Sequence, residues 1–149
     1  MSSKVKDLLK VKTKEVFSIS PKQTVYDALK LMGEREVGAL MVMEEGGKVV
    51  GIITERDYAR KVILKGKRSP DTPVEEIMTP VDSMYTVKLE TSVEDCMVLM
   101  TGKHVRHLPV FEKGQYVGLV SIGDAVKSVI SSQEMLIDQL SKYIAGRLD

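Results

Sequence analysis

The segment Gly51–Asp57 reads "GIITERD", and Gly118–Asp124 reads "GLVSIGD", 67 residues further on (118 − 51). Each is a glycine, two apolar residues, a hydroxyl residue, two spacers and an aspartate. An apolar β-type run that ends in a hydroxyl-x-x-acid box predicts a strand feeding a helix, with the hydroxyl capping the helix start. One such junction is ordinary. Two copies in register point to a duplicated unit.

The repeat extends outward from both segments. "TVYDALKLM" (Thr24–Met32) aligns with "SVEDCMVLM" (Ser92–Met100), and "VGALMVMEE" (Val37–Glu45) with "VRHLPVFEK" (Val105–Lys113), both at an offset of 68. One residue drops out where "GGK" meets "GQ", which gives the offset of 67 at the junctions. Within each copy, apolar residues at helical spacing follow the hydroxyl-x-x-acid boxes Thr24/Asp27 and Ser92/Asp95. Two apolar runs separated by "EEGG" or its shorter equivalent predict a hairpin whose strands are covered on both faces. An extended piece precedes each copy: "EVFSISP" (Glu15–Pro21) and "SMYTVKLE" (Ser83–Glu90). The unit is therefore strand–helix–strand–strand–helix. The expected division is 1–66 for the first unit with its N-terminal helical segment, 67–73 for a Pro/Gly/Ser linker, and 74–149 for the second unit. Short helical leaders, "KVKDLLKVK" and "VEEIMTP", precede the two copies. From Ser121 onward the final helix is long, with an apolar stripe including Val126, Ile130, Leu136, Ile137, Leu140, Tyr143 and Ile144. That stripe exceeds what one unit needs, and a second copy of the chain is the expected cover, with packing back on its own unit the alternative.

Bulk properties narrow the function. The 149 residues carry 22 basic and 21 acidic side chains, a net charge of +1, with no Trp and seven Phe or Tyr in total. That balance argues against a nucleic-acid groove, which needs clustered basic and aromatic residues. No apolar run approaches the roughly 20 residues of a membrane span, and no signal-peptide core opens the chain, so a cytoplasmic protein is expected. The single cysteine, Cys96, lies on an apolar helical face among acidic and apolar neighbours, which suits a buried thiol better than a nucleophile. His104 and His107 have no third ligand beside them, so no metal is expected. No phosphate-binding glycine loop of the Walker or dinucleotide type is present, nor a nucleophilic triad arguable from spacing, so no enzyme is expected.

The echoed junctions admit two readings. In one, Thr54/Asp57 and Ser121/Asp124 are caps and nothing more. In the other, free N–H groups at the helix start favour a phosphate, the hydroxyl adds a donor, and the aspartate accepts from a ribose diol. Gly51 and Gly118 then admit a ligand or a neighbouring backbone at close range.

The duplicated unit, with Gly-apolar-apolar-[Ser/Thr]-x-x-Asp at its last junction, resembles the cystathionine-β-synthase (CBS) domain, which occurs as tandem pairs. "IMTP" (Ile77–Pro80), "SPKQTVYDALKLM", "RHLPV" (Arg106–Val110) and both junctions carry the likeness, which covers nearly the whole chain. It implies an α+β tandem CBS pair with pseudo-two-fold symmetry and a long C-terminal helix. It also implies an adenosine-containing nucleotide held between the two units. Asp57 and Asp124 match the ribose-binding aspartates. Thr54, Ser121, Arg106 and His107 match positions near the phosphate. Val16, Phe17, Met84 and Tyr85 match the wall beside adenine. The first unit departs at Gly38 and Ala39, where the second has Arg106 and His107, and Arg56 with Arg60 are its nearest compensating charges. AMP is the leading ligand, then NAD(H), ADP or ATP, while S-adenosylmethionine gains nothing from basic residues. The implied function is an energy-sensing regulatory module acting on a partner protein as a homodimer. The rival reading is a structural or nucleic-acid interaction module without a nucleotide.

Overall fold

The computed structural model describes residues 3–11 and 17–145. By contacts the chain divides into two compact units, Glu15–Tyr85 and Met1–Lys14 with Thr86–Asp149.

In the Glu15–Tyr85 unit, β1 (Ser18–Ile19) pairs in parallel with β2 (Ala39–Met43), which forms a hairpin with β3 (Val49–Thr54). Between β1 and β2 runs α2 (Val25–Arg35), closed at its end by Glu36 in the left-handed conformation. After β3 the chain turns into α3 (Glu55–Tyr58), which loosens into a π-helical turn over Ala59–Ile63. A short β4 (Thr79–Pro80), absent from the sequence reading, adds to the free edge of β3 and completes the order β1-β2-β3-β4. Ile19, Val25, Ala28, Met32, Leu40, Val42, Ile53, Val62, Val74 and Ile77 form its core. β2 is buried at four successive positions, as continuous apolarity requires of a strand covered on both faces.

The other unit repeats the plan with α5 (Val93–Lys103), the hairpin of β5 (His107–Glu112) and β6 (Gln115–Ser121), and α6 (Ile122–Ile144). His104 closes α5 in the left-handed conformation, at the position equivalent to Glu36. The extended piece before α5 makes a single parallel bridge, Val87 to Val110, where the first copy has β1. Capping boxes close fully at Thr24/Asp27, Thr54/Asp57 and Ser121/Asp124, whereas at Ser92 only the hydroxyl half forms.

The leader helices differ from the division expected at 66 and 74. α1 (Val5–Val11) precedes the first repeat, yet Val5 and Leu8 are buried in the core with Val93, Cys96, Met100, Leu108 and Val120 of the second. α4 (Val74–Ile77) precedes the second repeat, yet Val74 and Ile77 are buried in the core of the first. The docking is equivalent in the two cases. Val5 N–H donates to Thr91 O at 2.8 Å and Val93 N–H to Ser3 O at 2.9 Å, while Val25 N–H donates to Thr72 O and Val74 N–H to Gln23 O, both at 2.8 Å. Each leader is far too short to hold a helix alone, so it takes its stability from whichever repeat offers those bridges. The expected linker is accordingly part of a unit, with Thr72 buried and its hydroxyl bonded to Arg68 O at 2.7 Å.

The glycines of the two junction strands serve this docking. A Cβ on Gly51 would lie 2.7 Å from the Thr79 carbonyl oxygen and 2.8 Å from Met78 Sδ, and one on Gly118 would lie 2.8 Å from Leu9 Cδ2. The neighbour admitted at close range is the end of a leader in both units.

Candidate functional site

Each junction is built from a strand end, a helix start and the beginning of the adjacent hairpin strand. In the first unit Ala39 pairs across from Thr54, and Glu55 N–H donates to Gly38 O at 3.1 Å. In the second, His107 pairs across from Ser121, and Ile122 N–H donates to Arg106 O at 2.9 Å. Strand pairing thus brings His107 and Ser121 together, although they stand 14 positions apart in the sequence.

The junction aspartates point into their own helix starts. Asp57 N–H donates to Thr54 Oγ1 at 3.1 Å, and Thr54 N–H returns to Asp57 Oδ2 at 3.0 Å. Asp124 N–H donates to Ser121 Oγ at 3.2 Å, and Ser121 N–H returns to Asp124 Oδ2 at 2.8 Å. The first and third N–H groups of each helix are therefore already bonded, which leaves a phosphate fewer backbone donors than a bare helix start would offer.

Asp57 has further partners. It is 8% exposed, and its Oδ1 receives Lys61 Nζ at 3.1 Å and Thr79 Oγ1 at 3.4 Å. Lys61 Nζ also donates to Ile77 O at 3.1 Å, a carbonyl at the end of α4. Sequence reasoning named neither Lys61 nor Thr79. The first was detectable as an i,i+4 acid–base pair with Asp57. The second needed the pairing of β4 with β3, a contact across 22 residues.

The remaining expected residues are spread more widely. Arg56 and Arg60 are exposed on α3 and its π-helical continuation, and Arg106 is exposed at the start of the β5 hairpin. Phe17 is half-buried against the first core with the Arg35 guanidinium 5.3 Å from its ring centre, and its carbonyl accepts from Met41 N–H. Met84 and Tyr85 follow the 3-10 turn Val81–Ser83, which lies against β3, so they leave the Glu15–Tyr85 unit from the junction strand's side. Val16 lies outside the described residues. A groove of about 530 Å³ beside the first junction is lined by Leu29, Met32, Val37, Gly38, Glu55 and Tyr58 among others, and it does not include Thr54 or Asp57. Among the described residues, no cluster of three metal-ligating side chains occurs.

Two strand–helix–hairpin–helix units with one junction chemistry define a tandem α+β repeat, and comparison with known proteins gives the family. CBS domains match residues 5–64 and 70–131, and the chain belongs to the CBS-domain family, whose tandem pairs are regulatory modules that commonly bind nucleotides. It is 40% identical over 151 residues to the CBS domain-containing protein CBSX3, mitochondrial, of Arabidopsis thaliana, an alignment covering 97% of this chain and 73% of that protein. A putative signal-transduction protein with CBS domains from Burkholderia ambifaria MC40-6 superposes with a TM-score of 0.82 at 46% identity, covering 88% of this chain and 96% of that one. A hexameric CBS-CP12 protein from bloom-forming cyanobacteria gives 0.71 at 30% identity over 85% of this chain and 67% of that one. No helix among the described residues is long and apolar enough to cross a membrane.

Proposed function

We propose that this protein is a non-catalytic sensor that binds an adenosine-containing nucleotide through Asp57 and Asp124 and changes what it presents to a partner protein. AMP is the first candidate, with NAD(H), ADP and ATP next. The observation that carries the reading is the repetition of one junction: a carboxylate held by a capping hydroxyl at the start of a helix, once in each unit. Ribose hydroxyls suit such acceptors. At the second junction, His107 and Arg106 supply basic groups beside Ser121 for a phosphate. At the first, Arg56 and Arg60 are the nearest candidates from the helix itself. Ligand acts by favouring one arrangement of the chain, to the extent that it binds that arrangement better.

Calorimetry with AMP and NADH tests this on the full chain. Asp57→Asn and Asp124→Asn retain an acceptor for the helix cap, and each is expected to lose about tenfold in affinity at its own junction, the worth of roughly 1–2 kcal/mol of hydrogen bonding. Unchanged affinity in both variants defeats the assignment.

Self-association is part of the same proposal. On α6, Val126, Ile130, Met135, Leu136, Ile137, Leu140, Tyr143 and Ile144 are all exposed by 41–83%, and 130–145 leave the unit's core altogether. A helical stretch of that length is marginal in water without a covering surface. A homodimer through α6 supplies one. Light scattering of a chain ending at Ser131 is expected to give the mass of a monomer; retention of the dimer mass removes α6 from that role. A reducing compartment such as the cytoplasm suits the buried free thiol of Cys96.

A further inference from the structure

The cluster Asp57–Lys61–Thr79 has a property that capping does not require. An ionised carboxylate offers about four acceptor positions. Asp57 Oδ2 takes Thr54 N–H at 3.0 Å and Thr54 Oγ1 at 3.2 Å, while Oδ1 takes Lys61 Nζ and Thr79 Oγ1. The acceptor capacity of this carboxylate is filled by the protein itself. A ribose hydroxyl can bond to it only by displacing a donor. The two Thr54 bonds are short-range, part-buried and fixed by the helix start. Lys61 is the exposed partner, with a side chain 44% exposed and a second acceptor already in hand at Ile77 O.

We infer that Lys61 and Thr79 set the ligand affinity of the first junction by occupying the Asp57 oxygen that a ribose would take. The inference rests on the nucleotide reading of that junction and adds two positioning residues to it. In the second unit the positions equivalent to Lys61 and Thr79 are Ser128 and Lys10, an ammonium and a hydroxyl in exchanged places. The clasp has a mechanical side as well. Lys61 and Thr79 join Asp57 to Ile77 and β4, the stretch that leads out of the Glu15–Tyr85 unit. Displacing them from Asp57 loosens that stretch, so occupancy of the junction is transmitted to the chain that leaves it.

The test is a site-resolved NMR titration of the full chain with adenosine, which carries no phosphate and therefore reads the carboxylate without long-range charge effects. Lys61→Met retains the aliphatic stem and removes the ammonium. Thr79→Val is close to isosteric and removes the hydroxyl donor. Adenosine is expected to bind the Asp57 junction about threefold to tenfold more tightly in Lys61→Met and about twofold to threefold more tightly in Thr79→Val, as losing a partly exposed competing donor implies. Affinity at the Asp124 junction stays as in the wild type. Hydrogen exchange at the Met78 and Thr79 amides is expected to rise in Lys61→Met without ligand. Unchanged or weaker adenosine binding at Asp57 in both variants, with Asp57→Asn still losing it, overturns the clasp and leaves the nucleotide reading standing. An absence of shifts at both junctions in the wild type, with AMP as well as adenosine, defeats the nucleotide reading and the affinity role with it.

Discussion

Replacing Gly51 by alanine tests the docking of the second leader on the first repeat. Gly51 pairs with Pro80 across the β3–β4 edge, and its φ lies outside the left-handed region, so alanine meets no backbone penalty. Removing a glycine on those terms stabilises by about 0.4–1 kcal/mol through the unfolded chain. The new methyl, however, would stand 2.7 Å from the Thr79 carbonyl oxygen, well inside contact distance. That oxygen belongs to backbone pinned by strand pairing and cannot swing aside as a side-chain tip would. Overpacking of this kind costs about 1–3 kcal/mol. The net is a loss of about 1–2 kcal/mol, or roughly 2–8 °C in Tm for a chain of this size. Gly118→Ala is the internal control. Its methyl would come nearest the Leu9 side chain, with the Cδ atoms at 2.8 and 3.1 Å and Cγ at 3.5 Å, and a leucine tip can rotate. Its net effect should fall within about 1 kcal/mol of zero. Scanning calorimetry of the two variants beside the wild type measures the difference. Equal Tm values for the two, or a gain in Gly51→Ala, would refute the claim that a fixed carbonyl makes glycine necessary there.

Acid should weaken the docking of the other leader. Glu90 accepts from Lys4 Nζ at 2.7 Å and Lys6 Nζ at 2.8 Å, and these bonds hold its carboxyl at about 2, below the usual 4.5. A depressed carboxyl contributes stability above its unfolded value that fades as pH falls from about 4.5 toward 2, so the Tm gap between wild type and Glu90→Gln should close over that window. The gap is small and salt-sensitive because these are surface pairs, and a gap independent of pH would contradict the pairing. Cys96 is fully buried and its thiol is pushed up by burial and then by Asp95, so a disulfide reagent should label it only when the chain opens. Stoichiometric labelling within the dead time under native conditions would place Cys96 outside the core.

The junction aspartates carry two kinds of contact, one local in sequence and one that only packing creates. The alternation of apolar runs, hydroxyls and acids identified both capping boxes, since a cap involves residues three apart and depends on little else. The same local logic located α2, α5, the two hairpins and the start of α6. Asp57's bonds to Lys61 and Thr79 were of another kind. Lys61 sits one turn away and was within reach of helical spacing, but Thr79 reaches the carboxylate only because β4 lies along β3. The glycines are a similar case. Their spacing announced a close approach, while the identity of the approaching group, Thr79 and Met78 in one unit and Leu9 in the other, came from packing.

The duplication, the elements of each copy and the start of each helix are written in neighbouring residues, because repeats, periodicity and caps are local properties. Tertiary structure alone decided which copy each leader completes: α1 buries Val5 and Leu8 in the second core, and α4 buries Val74 and Ile77 in the first. The two leaders are similar in pattern and both copies offer equivalent backbone bridges, so nothing local distinguishes the partners. The choice rests on long-range burial, which no window along the chain contains.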